Sequence, residues 1–358
     1  SYATGLEALL SDAEARLRFN PADPVARQEV DFVQDVFEFA KKQKDLGVLG
    51  NFGVTSYIGV LMSIGTKLEK FRLIFPDIVP FSSYYEDMER WMRNQVAESR
   101  IDEKLAAYIP NTPHADPRFD RLRSRAKGTF VSAATHITAL PLQIFQDAND
   151  GVWLMRGLYD VWKNSVEVTN STGAKVAWVN FLLNHASPYM DVYSDIPYRG
   201  RVKVRMQADI AGISQLAIRV PSWAGQAVTV REDSAALPHA SRWQWVDRYV
   251  LINQVKANST YTVEFPLVRQ DLTVAQLYTQ NDWWHEGNFA GQGYPETVGR
   301  FGATFIGDTM IKPATREDGP SSIPRYQRSS LEALLSNASP PGATERPPPL
   351  RSATRGVQ

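Results

Sequence analysis

Three carboxylates in the first half of the chain stand where acid–base chemistry is possible. Asp147 and Asp150 lie in a polar segment that enters a predicted helix, and Glu98 lies in the last turn of an amphipathic helical pattern. Two carboxyl groups on opposite sides of a glycosidic bond can act as acid and as base or nucleophile. Asp150, Glu98 and Asp147 are therefore candidate catalytic residues.

Both settings also have an ordinary structural explanation. Asp150 directly precedes the helical pattern at 151–162, and an aspartate in that position is well suited to cap a helix. A glutamate in the last turn of an amphipathic helix, such as Glu98, is most often solvated. The residues alone leave these alternatives open.

One histidine and two tryptophans are candidates for contact with a sugar. His185 lies in the polar bend 184–188, where it could hydrogen-bond a hydroxyl or fasten a turn between two parts of the chain. Trp283 and Trp284 lie in an aromatic, loop-like stretch. Aromatic faces can stack on sugar C–H surfaces, but such a pair can equally fill an interface.

The composition excludes several classes of function. The 358 residues contain 39 basic and 39 acidic side chains, so the chain has no basic surplus for binding nucleic acid. No apolar run approaches the ~20 residues of a membrane helix, and no phosphate loop, serine-hydrolase elbow or zincin pattern is present. Cysteine is absent and the five histidines are scattered. No cofactor and no metal site are predicted, and the oligomeric state is left open.

Two features of the sequence bear on the compartment. The first residues, SYATGLEALL, lack the charged start and apolar core of a signal peptide. Glycosylation triplets begin at Asn170, Asn258 and Asn337, and they favour an extracellular protein.

The spacing of apolar residues changes within the stretch 176–206. Before it they recur at helical spacing, most clearly at 83–108, where Met88, Trp91 and Val96 form a stripe and the charged residues lie mostly off it. The pattern at 54–69 is apolar nearly all round, which predicts a buried helix. After the change, short alternating segments separated by turns predict an antiparallel β-sandwich. The polar turn at 170–173 is the expected join. The fold class is α+β.

Several segments together resemble the β-L-arabinofuranosidase-type glycoside hydrolases. In the β part they are FLLNHASPYMDVYSDIPYRGRV at 181–202, IRVPSWAG at 218–225, TYTVEFPL at 260–267 and IPRYQR at 323–328. In the helical part they are YYEDMERWMRNQVAESRI at 84–101 and RGLYDVW at 156–162. The resemblance implies part of an (α/α)6 toroid followed by a β-sandwich, in a chain that lacks several of the family's helical hairpins.

The resemblance also implies a zinc site that this chain cannot build. Such proteins hold zinc through one glutamate and three cysteines, one of which is the proposed nucleophile. Gln146–Gly151 and Thr55–Ile58 occupy the corresponding places, so Asp147 and Asp150 stand where the family has cysteines. The family's mechanism is therefore not transferred to any residue here.

These observations divide the chain into four segments and leave three functions open. An N-terminal helical segment at 1–26 precedes a toroid remnant at 27–172, a β-sandwich at 173–328 and a disordered tail at 329–358. The tail is rich in Pro, Ser, Ala and Arg. The chain is expected to be a glycosidase-like protein that acts on or binds plant or microbial polysaccharide or oligosaccharide. The alternatives are a non-catalytic carbohydrate-binding relative and an incomplete, inactive fragment.

Overall fold

The computed structural model describes most of the helical and β parts of the chain. Its described residues are 2–43, 55–75, 84–96, 154–171, 173–278 and 297–316, with a few isolated positions between 103 and 124.

The first half of the described chain is helical, as the apolar spacing predicts. The helices are α1 (Tyr2–Phe19), α2 (Pro24–Gln43), α3 (Thr55–Ile74), α4 (Tyr84–Trp91), which continues as a π-helical turn over Met92–Val96, and α5 (154–163). Asp23 caps α2, because its Oδ1 accepts hydrogen bonds from the backbone N–H groups of Val25 and Ala26 at 2.9 and 3.2 Å. The helical core contains residues from all five helices.

Helix α3 lies at the centre of this assembly and is buried on most sides, which confirms the prediction made from its apolar pattern. Helix α5 crosses α3 at very short range. A Cβ on Gly157 would overlap the backbone of Gly59, so the crossing requires a residue without a side chain at 157. Among the described residues, no helix is long and apolar enough to span a membrane.

The second half of the described chain is built from fourteen strands. They are β1 (Val166–Ser171), β2 (Ala174–Val179), β3 (His185–Ala186), β4 (Met190–Ser194), β5 (Arg201–Met206), β6 (Ile213–Arg219), β7 (Thr229–Glu232), β8 (Ala235–Ala236), β9 (Trp243–Val246), β10 (Tyr249–Asn253), β11 (Thr260–Glu264), β12 (Arg269–Tyr278), β13 (Thr297–Ile306) and β14 (Thr309–Arg316).

Two sheets form the predicted sandwich. One has the order β1-β2-β6-β10-β9 and the other β3-β4-β5-β11-β7-β8. An apolar core with members from both sheets lies between them, including Val204, Leu216 and Val263, none of which is exposed. The sandwich is not wholly antiparallel as expected, because β2 and β6 run parallel. Between these two strands the chain passes through the other sheet and returns, so β6 enters beside β2 in the same direction.

The helices cover the outer side of the five-stranded sheet. Phe181, in the segment after β2, belongs to the helical core and packs edge-on against Tyr85 of α4 at 4.8 Å. Lys70 of α3 lies 3.8 Å from Glu167 of β1. This sheet therefore has the sandwich core on one face and helices on the other.

The change from helix to strand falls earlier than the predicted turn. Helix α5 ends at 163 and β1 begins at Val166, while the polar turn at 170–173 connects β1 to β2 as a hairpin. The alternating pattern at 303–311 predicts one last strand, but the structure has two strands there, β13 and β14, joined at Gly307 and Asp308 in a third sheet with β12. Gly307 has a φ of +55°, which explains why the sequence turns there. The predicted tail lies outside the described residues.

Candidate functional site

The join between helix α5 and the sandwich carries an exposed aromatic surface. Leu154 and Val161 of α5 are buried against the other helices, whereas Met155, Tyr159 and Trp162 face outward. Tyr159 is 54% exposed and Trp162 48% exposed. The helical pattern at 151–162 has Leu154 and Val161 on one side, and the sequence predicts no role for the opposite side. The three- and four-residue spacing of its outward residues was the signal that could have found it.

The two exposed rings form a continuous pair that His185 extends. The ring centroids of Tyr159 and Trp162 are 6.1 Å apart with planes inclined by 33°, and those of Trp162 and His185 are 5.5 Å apart. Lys163 lies 6.0 Å from the Tyr159 ring. A partly exposed aromatic pair with a cation at one end and an imidazole at the other can hold a flat, hydroxyl-bearing ligand.

His185 occupies β3 and is 7% exposed. Burial lowers the pKa of its imidazole, and the nearby carboxylate of Asp191 partly opposes that effect. The ring is therefore mainly neutral at pH 7 and offers one nitrogen donor and one nitrogen acceptor. Because His185 on a strand contacts Trp162 on a helix, the geometry supports the fastening role. Its predicted contact with a sugar stays a prediction.

The structure does not describe the other predicted site residues. Asp147, Asp150 and Glu98 lie outside the described residues, as do Trp283 and Trp284. Their catalytic and sugar-binding roles remain predictions.

The acidic residues of α4 are buried, although the apolar stripe leaves them on the other side of the helix. Glu86, Asp87 and Glu89 have relative exposures of 6, 5 and 1%. The helix is enclosed on both sides, by the helical core and by the sandwich with its third sheet. The apolar stripe predicts only the contact with the helical core. The side that faces the sandwich is charged, and charged residues are normally taken as exposed.

Glu89 joins the helical part to the five-stranded sheet. Its Oε2 accepts a hydrogen bond from the guanidinium of Arg219 on β6, and its Oε1 accepts one from the backbone N–H of Leu182. Burial works against the charge on Arg219, but the attraction of Glu89 and Glu86 outweighs it, and the pKa of Arg219 is raised. Arg219 also donates from Nε to the carbonyl of Asn180 at 2.6 Å.

Glu86 is also held by hydrogen-bond donors from the sandwich. The backbone N–H and hydroxyl of Ser222 donate to its two oxygens at 2.7 and 2.5 Å. Arg90 lies 3.9 Å away. Ser222 begins the short 3-10 turn Ser222–Ala224, so this contact holds the chain after β6 against α4.

The turn between β13 and β14 is held by the end of the same helix. The Nδ2 group of Asn94 donates to the carbonyl of Asp308 at 2.7 Å, and its Oδ1 accepts from the N–H of Met310 at 2.8 Å. The Asp308 carboxylate is 3.5 Å from Arg90. Burial raises the pKa of Asp308 to about 7, with Arg90 opposing the shift and Glu86 and Glu89 reinforcing it.

These buried acids have a structural role. Glu86, Glu89 and Asp308 all lie within the described interface and each has a hydrogen-bond donor or a cation beside it. A glycosidase needs carboxyl groups that reach the scissile bond, and side chains fixed in this way are not placed to do so.

The zinc site that the family resemblance implies does not fit this chain. No cysteine is present in the sequence, so the thiolate donors of that site cannot be supplied. Within the parts of the chain that the structure describes, no group of three or more His, Asp or Glu side chains is placed to hold a metal ion.

Comparisons with known proteins give structural similarity without sequence similarity. No protein-family model and no curated protein sequence matches the chain. The structure is similar to a GH127 β-L-arabinofuranosidase from Geobacillus stearothermophilus T6, at 10% identity and a TM-score of 0.39, over 85% of this chain and 56% of that one.

Two further solved structures are similar over 70% of this chain. One is described as a glycoside hydrolase, at 12% identity and a TM-score of 0.37, and 37% of it is covered. The other is a GH127 β-arabinofuranosidase, at 11% identity and a TM-score of 0.35, and 36% of it is covered. The chain thus spans from about a third to just over half the length of the structures it matches.

Proposed function

We propose that this protein is a glycoside hydrolase-like protein that binds plant or microbial oligosaccharide at the join between its helices and its sandwich. The observation that carries the proposal is the exposed pair Tyr159 and Trp162, adjacent to each other and to His185. A pyranose or furanose ring presents C–H groups on its faces and hydroxyls at its edge. The aromatic rings would contact the faces, and the neutral imidazole would hydrogen-bond an edge hydroxyl.

The family resemblance supports the same class of ligand. Segments 84–101, 181–202 and 218–225 carry that resemblance and are far apart in the chain. Their described residues meet at one interface, through Glu89 with Leu182 and Glu86 with Ser222. The segments that carry the resemblance therefore pack together in the fold. Because the family that they resemble acts on arabinofuranosides, arabinose-containing saccharides are the first ligands to test.

Whether the bound saccharide is hydrolysed depends on residues outside the described interface. Asp150, Glu98 and Asp147 are the carboxylates proposed for that step, and alanine at Asp150 or Glu98 should remove any turnover. The second candidate is a carbohydrate-binding relative without catalysis, and the absence of cysteine from the sequence favours it, because the thiolate nucleophile of the family that the chain resembles is missing.

Calorimetric titration with linear and branched arabino-oligosaccharides tests the binding proposal. Trp162→Ala and Tyr159→Ala should each weaken binding about tenfold, since one stacked ring contributes on the order of 1 kcal/mol. Tyr198→Ala is the matched control, because Tyr198 is 43% exposed and lies in the turn between β4 and β5. Unchanged affinity in both ring variants would overturn the proposal.

Hydrolysis of aryl arabinofuranosides, followed in the same preparations, separates the two candidates. Turnover that disappears in Asp150→Ala or Glu98→Ala indicates an enzyme. Saccharide binding without turnover indicates the non-catalytic relative.

A further inference from the structure

An eight-residue sequence occurs near each end of the chain. Residues 6–13 read LEALLSDA, which we call the N-terminal octapeptide, and residues 331–338 read LEALLSNA, which we call the C-terminal octapeptide. Seven of the eight positions are identical, and the difference is Asp12 against Asn337. Asp12 is exposed on α1, so every residue that the N-terminal octapeptide buries is also present in the C-terminal one.

The N-terminal octapeptide packs through one side of α1. Its buried apolar residues, none of them more than 4% exposed, are Leu6, Leu10 and Ala13. They recur at intervals of four and three residues, which places them on one side of the helix, and that side belongs to the helical core together with α2 and α3. The C-terminal octapeptide repeats this spacing with Leu331, Leu335 and Ala338. The sequence therefore predicts a second amphipathic helix with the same apolar side.

Helix-boundary signals flank the C-terminal octapeptide. Ser329 and Glu332 have the S-x-x-E spacing of a capping box, and Pro340 follows closely, as is usual after the end of a helix. In the stretch 329–358 every proline and glycine lies at 340 or beyond, so the composition that predicts a disordered tail belongs to the residues after the octapeptide. A helix this short is marginal in water by itself and needs an apolar surface to stabilise it.

The hairpin of α1 and α2 presents such a surface. Phe19, the last residue of α1, is 93% exposed, and Val25 and Phe32 of α2 are 46 and 51% exposed. We call these three residues the outer hairpin face. Val25 and Phe32 are seven residues apart and lie on one side of α2. That side is about a third of a turn from the side buried in the core, whose residues are Ala26, Val30, Val33 and Phe37.

The outer hairpin face is more than a set of scattered apolar residues. Single exposed apolar side chains are normal, whereas a group of large ones marks a contact surface. Phe19 is the most exposed large apolar side chain in the described parts of the chain, and Val25 and Phe32 continue the surface along α2. The core side of the same helix already carries the N-terminal octapeptide, so a second segment of the same kind requires a different side.

We propose that the C-terminal octapeptide packs on the outer hairpin face of its own chain. Helix α2 then lies between two segments of nearly identical sequence, one on each of its apolar sides. The apolar residues of the C-terminal octapeptide cover Val25 and Phe32, while Asn337, in the place of Asp12, stays in water. The inference concerns how the chain packs on itself and does not depend on the proposed saccharide site.

The intervening chain is long enough for this contact. Residues 317–330 separate β14 from the C-terminal octapeptide, and they can span up to about 46 Å. The β13–β14 turn contacts α4 through Asn94, and α4 contacts α2 through Tyr84 and Phe37 at 4.7 Å. The 20 residues of α2 are about 30 Å long, so a connection of this length can cross from the third sheet to that helix.

The charges beside the two surfaces are complementary. Asp31 and Asp35 are exposed on the part of α2 that adjoins Phe32, and Arg325 and Arg328 shortly precede the C-terminal octapeptide. Opposite charges at the rim of a contact contribute little affinity but favour one orientation over another.

Cysteine cross-linking in the full chain tests the proposal, because the sequence has no cysteine of its own. Gln28 is exposed on α2 one turn from Phe32, and Gln28→Cys leaves the apolar residues in place. Paired with Ala338→Cys, on the apolar side of the C-terminal octapeptide, it should form a disulfide within the chain. The matched control pairs it with Ala333→Cys, which corresponds to the exposed Ala8 and faces away from the contact.

Both cysteine pairs are joined by nearly the same length of chain, so a tail without a docking site would cross-link them equally. In the docked chain the Ala338→Cys pair should close at least about tenfold faster, because a disulfide needs Cα atoms within about 7 Å and docking brings only that side close. Mass spectrometry under non-reducing conditions measures the rates and separates disulfides within one chain from those between chains.

Binding of the apolar dye ANS tests the same contact without a cross-link, since its fluorescence rises on exposed apolar surface. Leu335→Asp should uncover the outer hairpin face and raise the dye fluorescence of the folded protein. Ser336→Asp, which corresponds to the exposed Ser11, is the matched control and should leave the fluorescence unchanged. Adding Phe32→Lys to Leu335→Asp should return it toward the parent value, because the uncovered surface is then charged.

The outcomes decide between the possible occupants of this face. Faster closure of the Ala338→Cys pair within the chain supports the proposal. Equal closure of both pairs, or dye fluorescence unchanged by Leu335→Asp, overturns it. Disulfides that form only between chains also overturn it, since a second copy of the chain is then the occupant. If neither pair closes, a rise in dye fluorescence in Leu335→Asp that Phe32→Lys reverses supports the contact.

Discussion

Two charged regions of this molecule differ in how their charges are satisfied. At the interface between α4 and the sandwich, carboxylates are buried and held by fixed partners, as in Glu89 with Arg219 and Leu182. On the outer face of the six-stranded sheet, Lys203 and Arg231 project over an open depression. The first region contributes to the stability of the fold, whereas the charges of the second remain in contact with water.

The contrast shows why charge alone does not locate a functional site. A buried carboxylate must be paired because leaving it without a partner in a dry environment costs several kcal/mol. An exposed cation costs little to keep solvated and contributes little to stability. Burial therefore separates a charge on which the fold depends from a charge that contributes little to stability.

The largest effect is expected at the buried interface. Arg219→Ala removes the guanidinium that donates to Glu89 Oε2 and leaves that of Arg93, 3.7 Å from Oε1, and it should lower the free energy of unfolding by about 3–5 kcal/mol. Urea unfolding followed by circular dichroism measures this loss. Arg205→Ala is the matched control, because Arg205 is an exposed arginine on β5, and it should change stability by less than about 0.5 kcal/mol.

A double variant sharpens the same point. Adding Glu89→Gln to Arg219→Ala should recover part of the loss, since the buried carboxylate that lost the Arg219 hydrogen bond is then neutral. If the losses in the free energy of unfolding of the two single variants simply add in the double variant, the pairing of Glu89 with Arg219 is contradicted.

An intermediate effect is expected at Asp308, with a dependence on pH. Its pKa is raised to about 7 in the folded protein, above its ordinary value, so the folded state retains a proton that the unfolded chain has released. This contribution to stability is present at low pH and is lost as pH rises through about 7. Asp308→Asn should therefore stabilise the protein at pH 8, by on the order of 1–2 kcal/mol once the lost contact with Arg90 is included.

Melting temperatures of the parent and Asp308→Asn across the range from about pH 5 to about pH 8 test this sign. The advantage of the variant should shrink toward the acidic end. Asp12→Asn on the exposed surface of α1 is the control. A variant that is less stable than the parent at pH 8 would show that the ionised form is the favoured one.

The smallest effect on stability is expected on the outer face. Lys203→Gln should alter the free energy of unfolding by less than about 0.5 kcal/mol, because its side chain is partly exposed to water. Urea unfolding of this variant beside Arg219→Ala compares the two regions directly. A loss of more than about 2 kcal/mol in Lys203→Gln would remove the distinction between them.

The broad fold could be predicted from the sequence because apolar spacing reports on burial. Val30, Val33 and Phe37 follow the helical period and are buried in α2, while Val202, Val204 and Met206 follow the strand period and are buried in β5. The spacing did not reveal that β2 and β6 run parallel, since direction within a sheet depends on the path of the chain between strands.

The site was harder to predict for a physical reason. Trp162 and Tyr159 have side chains that are also typical of a core, so their exposure could be recognised only once α5 was packed. Glu86 and Glu89 have the side chains expected on a surface, and only their partners on β6 and in the following turn show that they are buried. His185 lies against Trp162 of α5, and its predicted contact with a sugar stays a prediction.

The contact between Asn94 and the β13–β14 turn has a consequence for synthesis of the protein. Asn94 bonds to Asp308 and Met310, which follow it by 214 and 216 residues. At a translation rate of about 5–20 residues per second, the ribosome needs roughly 10–40 s to produce those partners. Over that interval the nascent helix has to keep its polar groups hydrated, and we expect its final docking to be among the last steps by which the newly made chain matures.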